Sequence, residues 1–86
     1  MSIITITVGE MGMDSSGKFK HSGRYCEIAY YEKDFYLKVY TNEAQEYLKE
    51  VIQLFPTESY SKTSEMIAFH VAKLHILPRL ISEGKI

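Results

Sequence analysis

The chain has one cysteine, Cys26, in 86 residues. No intramolecular disulfide can form, and a lone thiol in a small domain fits a reducing cytosol better than secretion, so a cytoplasmic setting is expected. It also lacks anything close to the roughly 18 consecutive apolar residues that a spanning helix needs, which predicts no membrane span. The first ten residues, MSIITITVGE, have no basic region and interleave their apolar side chains with Thr, unlike a secretory leader. An excess of charge is missing too. Ten Lys plus Arg against eleven Asp plus Glu leave a net −1, and dependence on phosphate contacts usually demands a more basic surface. No internal repeat or low-complexity stretch divides the chain.

What is present is globular: 45% apolar and 24% charged residues, enough for one core and one domain spanning 1–86. The expected fold class is α+β, a three-stranded antiparallel meander followed by two helices packed on one sheet face (βββαα). Ile4, Ile6 and Val8 share one side of a first strand. Turn-forming residues Asp14, Ser15, Ser16 and Gly17 follow, with Gly17 able to take positive φ at a hairpin bulge. Period-two alternation then places Cys26, Ile28 and Tyr30 on the inner side of a second strand. A polar Glu32-Lys33-Asp34 link leads to a third strand with Phe35, Leu37 and Val39 inward.

From Asn42 the period changes. Asn42 suits an N-cap with Gln45 placed to reach back. Ala44, Tyr47, Leu48, Val51, Ile52 and Phe55 then follow the i, i+3, i+4, i+7 pattern of an amphipathic helix ended by Pro56. The polar PTESYSKTS segment is expected to connect to a cap near Thr63 or Ser64 and to a second helix apolar on two sides. One stripe is Ile67, Val71, Leu74 and Ile81; the other is Met66, Phe69, Ile76, Leu77 and Leu80. Pro78 is expected to kink or break this helix.

Catalytic and ligand-binding patterns are sparse. GMDSSGKF, residues 12–19, imitates a phosphate-binding loop, but Phe19 stands where a magnesium-binding hydroxyl belongs and Lys20-His21-Ser22-Gly23 starts a helix poorly. The hairpin-turn reading is preferred. His70 and His75, five residues apart on a helix, point about 140° from each other, and no second cysteine or HExxH spacing is present, so no metal is expected. A Cys26 nucleophile would need a base and an oxyanion donor brought together by the fold, and a lone strand cysteine reads as small core packing. No cofactor and no enzymatic activity are expected.

Two surface features remain. Tyr25, Tyr31, Tyr36 and Tyr40 fall opposite the helix-packing face together with Lys38, and tyrosine offers large contact area for few rotatable bonds. Lys18, Phe19, Lys20, His21 and Arg24 form the one basic cluster, a candidate nucleic-acid contact diluted by nearby acids. The leading expectation is a small non-catalytic protein-binding module, an inhibitor or adaptor that masks a macromolecular partner through the tyrosine face. It could pair as a homodimer through Met66, Phe69, Ile76, Leu77 and Leu80. Phage or mobile-element accessory proteins, including anti-defence inhibitors, often share this small, motif-poor profile, an analogy of class and not of family. The alternative is a nucleic-acid-binding regulator using the hairpin 18–24.

Overall fold

Alternation from Arg24 to Tyr40 becomes two paired strands in the structure, a computed structural model that describes residues 12–41 and 47–86. The expected first strand at 3–8 and the expected helix start at 42–46 lie outside the described residues. Four strands form one antiparallel sheet in the order β1-β2-β3-β4: β1 Lys18–His21, β2 Arg24–Tyr31, β3 Asp34–Tyr40 and β4 Leu48–Pro56. Ser22-Gly23 and Glu32-Lys33 join the first three strands as two-residue turns with φ of 48°, 80°, 48° and 68°. Positive φ at both central positions matches the right-handed strand twist.

β1 begins at a turn built on Asp14. Its Oδ1 accepts from the backbone N–H of Ser16 (2.9 Å) and Lys18 (3.0 Å), and from the Ser16 hydroxyl at 2.8 Å. The Asp14 carbonyl accepts from Gly17 N–H at 3.0 Å, and Gly17 C=O accepts from Ile28 N–H at 2.8 Å. Gly17 has φ +84°, and a Cβ there would lie 2.6 Å from the Ile28 carbonyl oxygen, so glycine is required on both counts.

The expected helix over the segment ending at Phe55 is corrected: Leu48–Pro56 is a nine-residue strand. It pairs with β3 through Ile52 opposite Leu37 and Phe55 opposite Phe35, with irregularities between Phe35 and Tyr36 and between Val39 and Tyr40. Among the described residues the sheet thus has four strands, and two of them, β1 and β4, are not among the three expected. The physical reason is that β3 carries a full buried face, and its second edge needs partners for its backbone groups. One extra residue near Leu54 lets Ile52, Leu54 and Phe55 all reach the core, and the three-residue interval from Ile52 to Phe55 is one that a helix also gives.

Among the described residues one joined helix follows, where the second of the two expected helices was placed: α1 Lys62–Val71, a π-helical turn Ala72–Ile76 and α2 Leu77–Ser82. Its cap is Ser61, earlier than expected, whose Oγ accepts from Ser64 N–H while Ser64 Oγ accepts from Ser61 N–H, both at 3.0 Å. The π turn is what Pro78 requires. Pro78 brings no N–H and its ring would collide with the carbonyl four residues back in a regular helix. The wider turn, with Leu77 N–H bonded to Ala72 C=O, lets the helix resume with Pro78 at its start.

The π turn also sets which side chains face the sheet. In an unbroken α-helix Leu77 and Leu80 would point about 130° and 70° away from the mean direction of Glu65, Ala68, Phe69 and Ala72. One extra residue takes back about 100° and seats both in the core. That core joins Phe19, Cys26, Ile28, Phe35, Leu37 and Val39 of the sheet to Ala68, Phe69, Ala72, Leu77 and Leu80 of the helix, closed at one end by Met13. Phe19 meets Phe69 edge-on at 4.8 Å. The helix covers one face of the sheet.

Candidate functional site

Strand register lays out the face that the helix does not cover. Its central row runs Lys18, Glu27, Lys38, Val51 across β1 to β4. On one side lies the row Lys20, Tyr25, Tyr40, Leu48, and on the other Ala29, Tyr36, Gln53. Tyr31 extends this face at the end of β2 and is 65% exposed. All four tyrosines expected on the outer side therefore share one surface with Lys38. Lys18 and Lys20, expected as part of a separate basic hairpin, lie on that same surface.

Short polar contacts hold parts of it. Tyr40 Oη donates to Glu27 Oε1 at 2.9 Å; burial first, then the Glu27 carboxylate, push its phenol up to about 12. Lys20 Nζ lies 5.2 Å from the centre of the Tyr25 ring, a cation–π contact. Between Tyr31 and Tyr36 the small side chain of Ala29 leaves an open hollow of about 330 Å³, bordered by Tyr30, Lys38 and Val51.

The remaining basic-cluster residues do not join this face. Phe19 is buried in the core against Phe69, so it offers no ring for stacking. His21 is half-buried and its pKa is lowered by burial and by the charges of Lys73 and Arg24. Arg24 is turned to the chain itself, donating to Ser22 C=O at 2.6 Å and to Ile86 C=O at 3.2 Å.

The stripe expected to mediate self-association, Met66, Phe69, Ile76, Leu77 and Leu80, is the inward one. Phe69, Leu77 and Leu80 are buried, and Met66 and Ile76 pack against the core. The other stripe faces outward, with Ile67 50% and Leu74 61% exposed.

The remaining chemical candidates resolve by geometry. The N–H groups of Ser16, Gly17 and Lys18 that would cradle a phosphate are already taken by Asp14. Cys26 is buried, and burial pushes its thiol up to about 12, with Arg24 acting in the opposite direction. His70 and His75 are both exposed on the helix. Among the described residues no group of three His, Cys, Asp or Glu side chains could hold a metal ion, and no helix is long and apolar enough to cross a membrane.

Sequence reasoning missed Glu65, a buried carboxylate that accepts from Tyr60 Oη at 2.9 Å and from Lys62 Nζ at 3.1 Å. Burial and this bond raise the Tyr60 pKa. The hollow at Ala29 was missed as well. Its signal was a small residue flanked on its strand by Glu27 and Tyr31, in a face otherwise made of long side chains. No protein-family model, curated protein or solved structure matches the chain.

Proposed function

We propose that this chain is a small non-catalytic protein-binding module that docks its open sheet face on a macromolecular partner and acts by masking it, as an inhibitor or adaptor. The observation that supports the reading is the gathering of Tyr25, Tyr31, Tyr36, Tyr40, Lys18, Lys20 and Lys38 on the one sheet face that the helix leaves uncovered. Rigid aromatic rings with a polar tip lose little entropy on binding and are enriched in interface hot spots. Replacing Tyr31, Tyr36 and Tyr40 together by alanine is expected to abolish capture of a discrete partner from host lysate while leaving the circular dichroism spectrum unchanged. Undiminished capture by the folded variant would sink the reading.

A nucleic-acid reading draws on the same surface, because Lys18 and Lys20 stand beside tyrosine rings. Against it, Glu27 lies between Lys18 and Lys38, the hairpin's Phe19 is in the core, and the chain's net charge is −1. This alternative expects a salt-sensitive gel shift of single-stranded DNA that Lys18→Glu with Lys20→Glu removes. No shift at low salt ends it.

A further inference from the structure

We propose that the hollow over Ala29 is the anchor pocket of the open face, and that it receives an apolar or aromatic side chain of a protein partner whose adjacent residue is a carboxylate. The proposal rests on the protein-binding reading and adds the chemistry of the contact.

The pocket is a consequence of residue size in one register. Tyr25, Glu27 and Tyr31 project from the same side of β2, and Tyr36 stands directly across from Ala29 on β3. A methyl group among such side chains leaves a floor, with the rings of Tyr31 and Tyr36 on its border and Val51 of β4 at the far side. About 330 Å³ lies at the small end of ligand sites, which run from roughly 300 to 1,000 Å³, and suits one side chain better than a cofactor. An apolar group entering it displaces water from aromatic and aliphatic surface, the source of most hot-spot energy.

Charge selects what stands next to that side chain. Lys38 is the one charged residue bordering the hollow, and none of the ion pairs among the described residues engages it. Glu27, directly across from it, also lies across from Lys18 and already accepts the Tyr40 hydroxyl at 2.9 Å. By register two lysines thus flank one carboxylate, leaving a surplus positive charge in the row beside the pocket. Asp34 faces Tyr31 at the opposite end, away from Lys38 by register. A partner carboxylate beside the anchor would complete the row. A nucleic acid strand would instead need cations spaced along its backbone, and the pocket border supplies one.

The test is an amide-resolved NMR titration of the full chain with a blocked Phe-Glu dipeptide, the matched Phe-Lys dipeptide and a short oligothymidylate. Phe-Glu is expected to shift the amides of Ala29, Tyr36 and Lys38 and to bind roughly two- to fivefold more tightly than Phe-Lys, the span of one exposed ion pair. Lys38→Glu should reverse that preference, and Ala29→Leu, which fills the floor, should remove the shifts. Equal affinity for the two dipeptides, shifts centred elsewhere, or a response to oligothymidylate alone overturns the proposal. Partner capture separates the levels: loss with the three-tyrosine variant but retention with Ala29→Leu and Lys38→Glu means the face binds without this pocket. Retention with every variant removes both readings.

Discussion

The two faces of one sheet are both rich in aromatic residues, but they carry different ones and use them in opposite ways. On the inner face Phe19 and Phe35 are enclosed, and their neighbours Cys26, Ile28, Leu37 and Val39 carry no charge. On the outer face the aromatic residues are all tyrosines, interleaved with Lys18, Lys20, Glu27 and Lys38. The difference is one of hydration. A phenol keeps a hydrogen-bonding tip for water or a partner, whereas a phenyl ring is stable only where water is excluded. The inner face holds the fold together, and the outer face is the one that the helix does not cover.

The sharpest break between the faces is thermodynamic. Phe35→Ala leaves a cavity at the centre of the core, next to Tyr30 at 4.9 Å and Phe55 at 5.4 Å, and is expected to cost about 3–5 kcal/mol. Tyr36→Ala, the next residue along but facing outward, should cost less than about 1 kcal/mol. Urea denaturation of both variants checks this. Similar losses would mean that the outer face is covered and structural.

How far the sequence reveals this arrangement depends on how cleanly each period is written. β2 and β3 alternate without interruption, so their inner and outer residues are legible, and with them the tyrosine face. β1 carries the same alternation in Lys18-Phe19-Lys20, but four residues are too few to stand out beside a cluster of cations. β4 was hidden because Leu48, Val51, Ile52 and Phe55 fit a helical stripe, although in the strand Leu48 and Val51 lie on the outer face and Ile52 and Phe55 on the inner one. Only the need of β3 for a second neighbour decides between them, and that need is a property of the assembled sheet. The helix was misread for a related reason. A fixed 3.6-residue period leaves Leu77 about 80° from Phe69, and only the π turn between them, which no spacing in the sequence announces, brings both onto the sheet. The pocket at Ala29 was illegible because it depends on which residues stand across from a small one, and register is not written in either strand alone.

The cover on the inner face can be tested through that π turn. Deleting the exposed His75 removes its extra residue and should convert it to regular helix while keeping Leu77 and Leu80 toward the core. Pro78 would then sit in a helix interior at a cost of about 3 kcal/mol. Most of that loss should return in the deletion combined with Pro78→Ala, measured by thermal unfolding. Equal damage in both backgrounds would show that the turn does more than accommodate proline and phase the leucines.

The edge where the faces meet at the Asp14 turn should respond less. Gly17→Ala places a Cβ 2.6 Å from the Ile28 carbonyl oxygen in a residue with φ +84°, and about 1–3 kcal/mol is expected from the backbone strain. Asp14→Asn weakens the same turn. Backbone and side-chain hydrogen bonds hold the Asp14 carboxyl below its ordinary range, so its contribution is present above the unfolded value of about 3.9 and fades as pH falls through the lower folded one. Acid denaturation of the two variants against the parent separates strain from hydrogen bonding.

The smallest effect belongs to the outer face itself, and it distinguishes a tyrosine held by the fold from one left for a partner. Tyr40 is tied to Glu27, and its folded pKa is pushed up to about 12, above an unfolded value of about 10. A raised acid pKa means that the folded state keeps its proton longer. The stability from this neutral phenol is therefore fully present below about pH 10 and is lost as pH rises through the folded value of about 12. Tyr40→Phe has no proton to lose and should show a flatter fall in stability over that window, whereas Tyr31→Phe, exposed at the end of β2, should follow the parent. Tyrosine absorbance and unfolding followed together across the window check both. A parent curve indistinguishable from Tyr40→Phe would mean that the Glu27 bond does not persist in solution, and Tyr40 would then join Tyr31 as a ring free to meet a partner.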